Sequence, residues 1–150
     1  MKVVINVCHG GFSLSPKAVR YYAQLQGREC YFYETKLDGD FSLELLSEEQ
    51  ASKIYTDPIA FDVPDMDARY AEACSADQIA GNRVWKQHYL DDRPEDRSDP
   101  LLIQVVEELG DQAAGKYAQL KVVEIPDDVK WHIDEYDGWE HIAENHRTWA

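Results

Sequence analysis

The chain has 150 residues and a formal net charge of −14, with 29 acidic residues against 15 basic ones. This balance opposes sequence-independent binding to DNA, RNA or anionic membranes, because attraction to phosphate needs clustered lysine and arginine. A hydrophobic content of 44% predicts a folded globule, and the length fits one domain. No apolar run reaches the roughly 18 residues that a membrane-spanning helix needs.

The cysteines and the N-terminal residues predict a cytoplasmic location. Cys8, Cys30 and Cys74 are odd in number and have no C-x-x-C spacing, which predicts free thiols in a reducing cytoplasm. One lysine followed at once by a strand-like run does not fit a signal peptide. The acidic charge leaves two interpretations open: a solvated surface that favours solubility, or a surface directed at a basic partner.

The first predicted unit is strand, helix, strand. The apolar run over residues 3–7 predicts a strand, which we expect to lie inside the sheet. Ser15 as N-cap and Pro16 at the first turn predict a helix that Gly27 ends. Residues 30–33 then form a second strand. With a helix between them, the two strands are expected to be parallel neighbours.

The middle, residues 36–98, is polar and less regular. The pattern from Ser47 to Gln50 is a capping box that predicts a short helix through Ile54. One further helix is compatible with Tyr70, Ala73 and Ala76. Residues 91–98 are predicted to form an exposed loop.

The last third has the clearest pattern. Asp99 and Pro100 begin a predicted helix that ends at Gly110, and residues 120–125 predict a strand. A second strand, from about residue 129 to 134, alternates so that one face is buried. A turn follows at residues 137–138, and then a short final helix to about residue 146. We therefore predict a mixed α/β (α+β) single domain over residues 1–150, with a sheet of about four strands and helices packed on it.

The junction over residues 8–16 is the main candidate site. A glycine pair between a strand and a helix N-terminus can bind an anion, so His9, Gly10, Gly11 and Ser13 are predicted ligand-binding residues. A tight turn with ordinary helix capping is the alternative. A nucleophilic Cys8 is a third interpretation, although neighbouring residues of a strand point to opposite faces.

An anion site in so acidic a chain needs cations, and Arg97 and Arg147 are predicted to supply them. We expect the C-terminal segment 146–149 to pack against the junction, with Trp149 against Phe12. The histidines lack metal-ligand spacing, since His141 and His146 are five residues apart. We predict no metal, no cofactor and no assigned catalytic residue.

Several segments resemble a family of small uncharacterised proteins encoded by phages and prophages. The resemblance lies in residues 8–15 (CHGGFSLS), 99–110, 120–127, 135–138 and 146–149, together with Trp131. It covers roughly the first 35 and last 55 residues and supplies no activity. It implies a phage accessory protein in the bacterial cytoplasm.

Two functions of different classes follow. The first is binding of a small anionic, nucleotide-like ligand at the strand–helix junction. The alternative is an acidic protein-interaction module that inhibits a basic host protein through residues 91–99 and 124–144. An enzyme that uses Cys8 or His9 ranks third, because no general base is paired with either residue.

Overall fold

A computed structural model describes residues 1–37, 39–54, 57–146 and 149. Within these residues the chain has a mixed α/β (α+β) fold, as predicted, and none of the helices is long and apolar enough to cross a membrane. The contacts form two compact units: the terminal unit, residues 1–18 and 92–150, and the middle unit, residues 19–91. One domain over residues 1–150 stays a prediction, and the units are described separately.

The helices and strands occur in a mixed order along the chain. The helices are α1 (Pro16–Leu25), α2 (Glu48–Lys53), α3 (Met66–Ala76), α4 (Gln78–His88) and α5 (Pro100–Leu109), with a 3-10 turn at Gly110–Ala113. The strands are β1 (Lys2–Asn6), β2 (Tyr31–Lys36), β3 (Ser42–Leu46), β4 (Ile59–Phe61), β5 (Tyr89–Leu90), β6 (Leu120–Glu124), β7 (Trp131–Tyr136) and β8 (Trp139–Glu144).

In the terminal unit, β1 pairs with β6 and not with β2. The pairing is antiparallel, with Val4 opposite Val122. The parallel pairing expected across α1 is therefore wrong, because the apolar run of β1 finds its partner strand more than a hundred residues away in sequence. β1 is buried, but among the described residues it pairs with one strand only, so its placement inside a sheet is also wrong. Its other edge is covered by a loop, where the Val4 N–H donates to the Arg97 carbonyl at 2.9 Å.

The predicted final helix is instead strand β8. Asp137 and Gly138 have φ of 51° and 85°, a left-handed pair that closes a two-residue hairpin and returns the chain along β7. Tyr136 faces Trp139 across this turn, and this is the first of six residue pairs between β7 and β8. β7 does bury one face as predicted, since Trp131 and Ile133 are partly buried whereas the residues between and after them are exposed.

The middle unit contains the four-stranded sheet, in the order β3-β2-β4-β5 and antiparallel throughout. The capping box at Ser47 and Gln50 is confirmed, and α2 follows it. The helix compatible with Tyr70 is α3, and it packs against α4 and β3. The buried cluster of this unit consists of Tyr33, Leu43, Phe61 and Met66.

A polar network ties three parts of the middle unit together at Asp62. Its carboxylate accepts from Arg28 at 2.9 Å on one oxygen and meets His88 Nδ1 at 2.7 Å on the other. Burial raises the pKa of the Asp62 carboxyl, but the hydrogen bonds from His88 and Arg28 outweigh burial and leave that pKa below its usual value.

Candidate functional site

The strand–helix junction uses its own polar groups to join the chain to itself. Ser15 Oγ accepts from the Ala18 N–H at 3.1 Å, which confirms the predicted N-cap, and it donates to the Gln112 carbonyl at 2.6 Å. The Ser15 N–H donates to the Ala113 carbonyl at 2.9 Å. The residues before α1 are thus bound to the 3-10 turn after α5.

Glycine is favoured at the two positions of the junction for different structural reasons. A Cβ on Gly10 would collide with the backbone carbonyl of Tyr117, so the close approach of these two segments requires glycine. Gly11 has φ of 84°, the left-handed region that favours glycine, and its Cβ side is open. Both glycines are accounted for by the path of the chain.

Ser13 and His9 lie in different surroundings. Ser13 is buried, and its carbonyl accepts from the Gly115 N–H at 2.9 Å. His9 is exposed, and its ring meets the Trp139 ring edge-on, with centroids 5.2 Å apart. Its Nδ1 is 3.3 Å from the Asp137 carbonyl oxygen, so His9 borders the β7–β8 turn.

Arg97 is held by the protein. Its guanidinium forms a two-point ion pair with Glu140, at 2.8 and 3.1 Å, and Nε donates to the Pro94 carbonyl at 2.9 Å. Its Cζ lies 3.6 Å from the centroid of the Phe12 ring. The side chains of Arg97 and Glu140 are 14% and 7% exposed. Residues 91–98 do form a loop, but the expectation that the loop is exposed is wrong at Arg97.

Asn6 and Glu140 are central residues of this region, although the sequence indicates neither of them as part of the junction site. Asn6 Nδ2 donates to the carbonyls of Cys8 and Gly138, both at 2.7 Å, and its Oδ1 accepts from the Gln119 N–H at 2.8 Å. The Asn6 N–H donates to Glu140 at 2.9 Å. An asparagine inside an apolar strand was the available signal, since a buried amide needs several partners.

The predicted site residues are therefore only partly brought together. Cys8 Sγ donates toward the Tyr117 carbonyl at 3.1 Å, whereas His9 faces Trp139, so the described contacts do not pair thiol and imidazole. Trp149 is 86% exposed, which makes the expected packing against buried Phe12 wrong. Arg147 lies outside the described residues. Ligand binding at His9, Gly10, Gly11, Ser13, Arg97 and Arg147 stays a prediction.

The tip of the β7–β8 hairpin presents aromatic and acidic side chains to solvent. Tyr136 is 79% exposed and its cross-strand partner Trp139 is 44% exposed. The hairpin tip, as we call it, also includes the exposed acidic residues Asp134, Glu135 and Asp137. Large aromatic side chains are enriched at surfaces that contact a partner, and the carboxylates give this surface a negative charge.

Local contacts fix the hairpin tip in place. The Glu135 carboxylate accepts from the Gly138 N–H, and the Gly138 carbonyl accepts from Asn6. Asp134 lies 2.9 Å from His132 Nε2 and 3.5 Å from His141 Nε2. Across the described ranges no three His, Cys, Asp or Glu side chains are grouped to hold a metal ion.

Comparisons of the chain with protein-family models, with curated proteins and with solved structures find no match.

Proposed function

We propose that this chain is an acidic protein-interaction module whose hairpin tip binds an arginine-rich segment of a basic protein. The observation that carries the proposal is the exposure of Tyr136 and Trp139 on the same hairpin tip as the exposed residues Asp134, Glu135 and Asp137. Tyrosine and tryptophan are enriched among the residues that contribute most to binding at protein interfaces.

Arginine fits this surface for two reasons. A guanidinium stacks over an indole or phenol ring, which contributes about 0.5–1 kcal/mol at an exposed site. The same planar group donates two parallel hydrogen bonds to a carboxylate, which an ammonium group does not. Tyr136 and Trp139 supply the rings and Asp137 is the nearest carboxylate along the turn.

The fixed shape of the hairpin tip favours binding. Asn6 donates to the Gly138 carbonyl and so fixes the turn, and the Arg97–Glu140 pair fixes the second residue of β8. A surface that is already ordered loses less conformational entropy when a partner binds. The net charge of −14 additionally attracts a basic partner at long range. Because several segments resemble phage proteins, we propose that this partner is a protein of the bacterial host.

The test measures binding of an oligoarginine peptide by isothermal titration calorimetry, with an oligolysine peptide of the same length for comparison. The triple variant Asp134→Asn, Glu135→Gln and Asp137→Asn keeps the acceptor oxygens but removes three charges. We expect it to weaken binding of the arginine peptide about tenfold or more, with tighter binding of arginine than of lysine in the wild type.

A control variant has the same net charge but carries its changes elsewhere, at Asp57→Asn, Glu72→Gln and Asp111→Asn, all exposed residues. It should bind nearly as the wild type does. An equal loss in both triple variants would show that total charge, not the hairpin tip, attracts the peptide, and the proposal would be abandoned.

The anionic-ligand hypothesis ranks second. It is supported by the exposure of His9 at the junction, but Arg97, one of its two cations, is neutralised by Glu140. Thermal-shift measurements with millimolar nucleotides and cyclic dinucleotides test it, because a ligand that binds the folded state raises the melting temperature. No shift with any of them counts against this site.

A further inference from the structure

A small pocket in the middle unit lies where the chain enters β3 and passes α3 and the start of α4. Its volume is about 270 Å³. This is near the lower end of the range for small-molecule sites, so its occupant is small. The lining residues are Phe41, Asp67, Tyr70, Ala71, Cys74 and Gln78.

Two aromatic rings form one wall of the pocket. The rings of Phe41 and Tyr70 meet edge-on, with centroids 5.8 Å apart at 70°. Trp85 supports both rings, at 5.2 Å from Tyr70 and 6.3 Å from Phe41. Phe41 is nevertheless 45% exposed, so a face of this cluster is open to a ligand. Ring faces carry negative electrostatic potential and attract cations.

Among the described residues that line the pocket, Asp67 is the one formally charged side chain, and it is acidic. Asp67 uses Oδ1 to accept from the Leu43 N–H at 2.7 Å, which fixes the carboxylate at the edge of β3. Gln78 Nε2 donates to Asn82 Oδ1 at 3.1 Å. A fixed carboxylate beside aromatic faces disfavours an anion, and a neutral apolar ligand would desolvate the carboxylate without compensation.

We propose that this pocket binds an alkylated ammonium group. The methyl groups of such a cation pack on the rings of Phe41 and Tyr70, while its charge is balanced by Asp67. Alkylated ammonium groups are weakly hydrated compared with Lys or a metal ion, and aromatic surroundings are their usual binding environment. The site belongs to the middle unit and does not involve the hairpin tip, so it stands or fails independently of the proposed partner binding.

The experiment titrates the full chain with choline and with 3,3-dimethylbutan-1-ol, a neutral molecule of nearly the same shape. Tryptophan fluorescence and NMR shifts follow binding, since Trp85 contacts both pocket rings. We expect choline to bind at least about tenfold more tightly than the alcohol. Equal affinities, or no choline binding at about 10 mM, would overturn the proposal.

Two variants test separately how much the Asp67 charge and the Phe41 ring contribute to binding. Asp67→Asn keeps an oxygen for the Leu43 N–H and removes the charge, whereas Phe41→Leu keeps apolar volume and removes a ring face. Asp67→Asn should weaken choline binding about tenfold and leave binding of the neutral alcohol nearly unchanged. Phe41→Leu should weaken choline binding several-fold more than it weakens binding of the alcohol, because both ligands lose apolar contact but only choline loses the cation–π attraction. Circular dichroism confirms that each variant is folded. Unchanged choline affinity in Asp67→Asn would also refute the site.

A third titration identifies the source of the ammonium group. Trimethyllysine with blocked termini represents a modified side chain, and choline represents a free small molecule. Tighter binding of one of the two ligands supports the site and shows whether the ammonium group comes from a modified side chain or from a free small molecule. If neither ligand binds, the site is refuted. The Asp134, Glu135 and Asp137 triple variant should bind choline as the wild type does. Loss of choline binding and loss of peptide binding can therefore be assigned separately to the pocket and to the hairpin tip.

Discussion

The terminal unit buries polar side chains in addition to its apolar core, whereas the buried residues described in the middle unit are apolar or aromatic. In the terminal unit, Asn6 and Glu140 are buried polar side chains, and Glu140 is paired with Arg97. In the middle unit, the buried cluster contains Tyr33 and Phe61, whose rings meet edge-on with centroids 5.5 Å apart. Directional polar contacts fail when one partner is removed, whereas a cluster of rings distributes its stabilisation over many contacts. The two units should therefore respond differently to single substitutions.

The largest expected effect is at the buried ion pair of the terminal unit. Glu140→Ala leaves the Arg97 guanidinium unpaired and removes the acceptor of the Asn6 N–H, which should lower the free energy of unfolding by about 3–5 kcal/mol. Chemical denaturation measures this change.

The double variant Arg97→Met, Glu140→Leu sharpens the same comparison. It removes both charges and keeps apolar volume, so it should recover more than half of the loss. A double variant as unstable as Glu140→Ala would show that the unpaired charge is not the cause.

In the middle unit, removal of one polar contact should lower the free energy of unfolding by less than Glu140→Ala does. Tyr33→Phe keeps the buried ring but removes the hydroxyl that donates to the Val63 carbonyl at 2.6 Å and accepts from the Met66 N–H at 3.3 Å. We expect a loss of about 1–2 kcal/mol in denaturant unfolding. A loss as large as that of Glu140→Ala would contradict the contrast between the units.

The Asp62 network should appear in the pH dependence of stability. Because the pKa of folded Asp62 is lowered, its contribution is present above the unfolded pKa of about 4 and is lost as pH falls through the folded pKa. Asp62→Asn should therefore be less stable than the wild type at neutral pH, by about 1 kcal/mol given partial exposure. Unfolding measured from pH 7 to pH 2 should show this difference shrink with acid, and a difference independent of pH would contradict the assignment.

The last prediction concerns thiol reactivity and involves no change in stability. Burial raises the pKa of the Cys30 thiol to about 11, although nearby Arg20 opposes the shift. Below pH 9 its thiolate fraction is then about 100-fold smaller than that of a thiol with pKa 9. Alkylation by iodoacetamide at pH 8, followed by peptide mass spectrometry, should label Cys30 correspondingly slowly in the folded chain and rapidly in denaturant. Rapid labelling of folded Cys30 would contradict its burial.

The candidate surfaces differ in how far the sequence could reveal them. The acidic segment 124–144 was selected as an interaction surface from charge alone, but its exposed aromatic pair depends on the hairpin that replaced the expected helix. Trp139, Ile142 and Ala143 have helical spacing, yet the Asp-Gly turn after an alternating strand was the stronger signal. The pocket beside Asp67 had no sequence signal, because Phe41 and Tyr70 belong to different elements.

What the sequence determined by itself is local. The caps at Ser15, Ser47 and Asp99 each bond to a backbone N–H two or three residues ahead, so short-range chemistry suffices to predict them. What the tertiary structure decided is the choice of distant partners: β6 for β1, and Glu140 for Arg97 across 43 residues. An arginine carries the same charge whether a ligand or a carboxylate neutralises it. Only the folding of β8 against β1 brings that carboxylate to Arg97 and leaves the aromatic hairpin tip facing solvent.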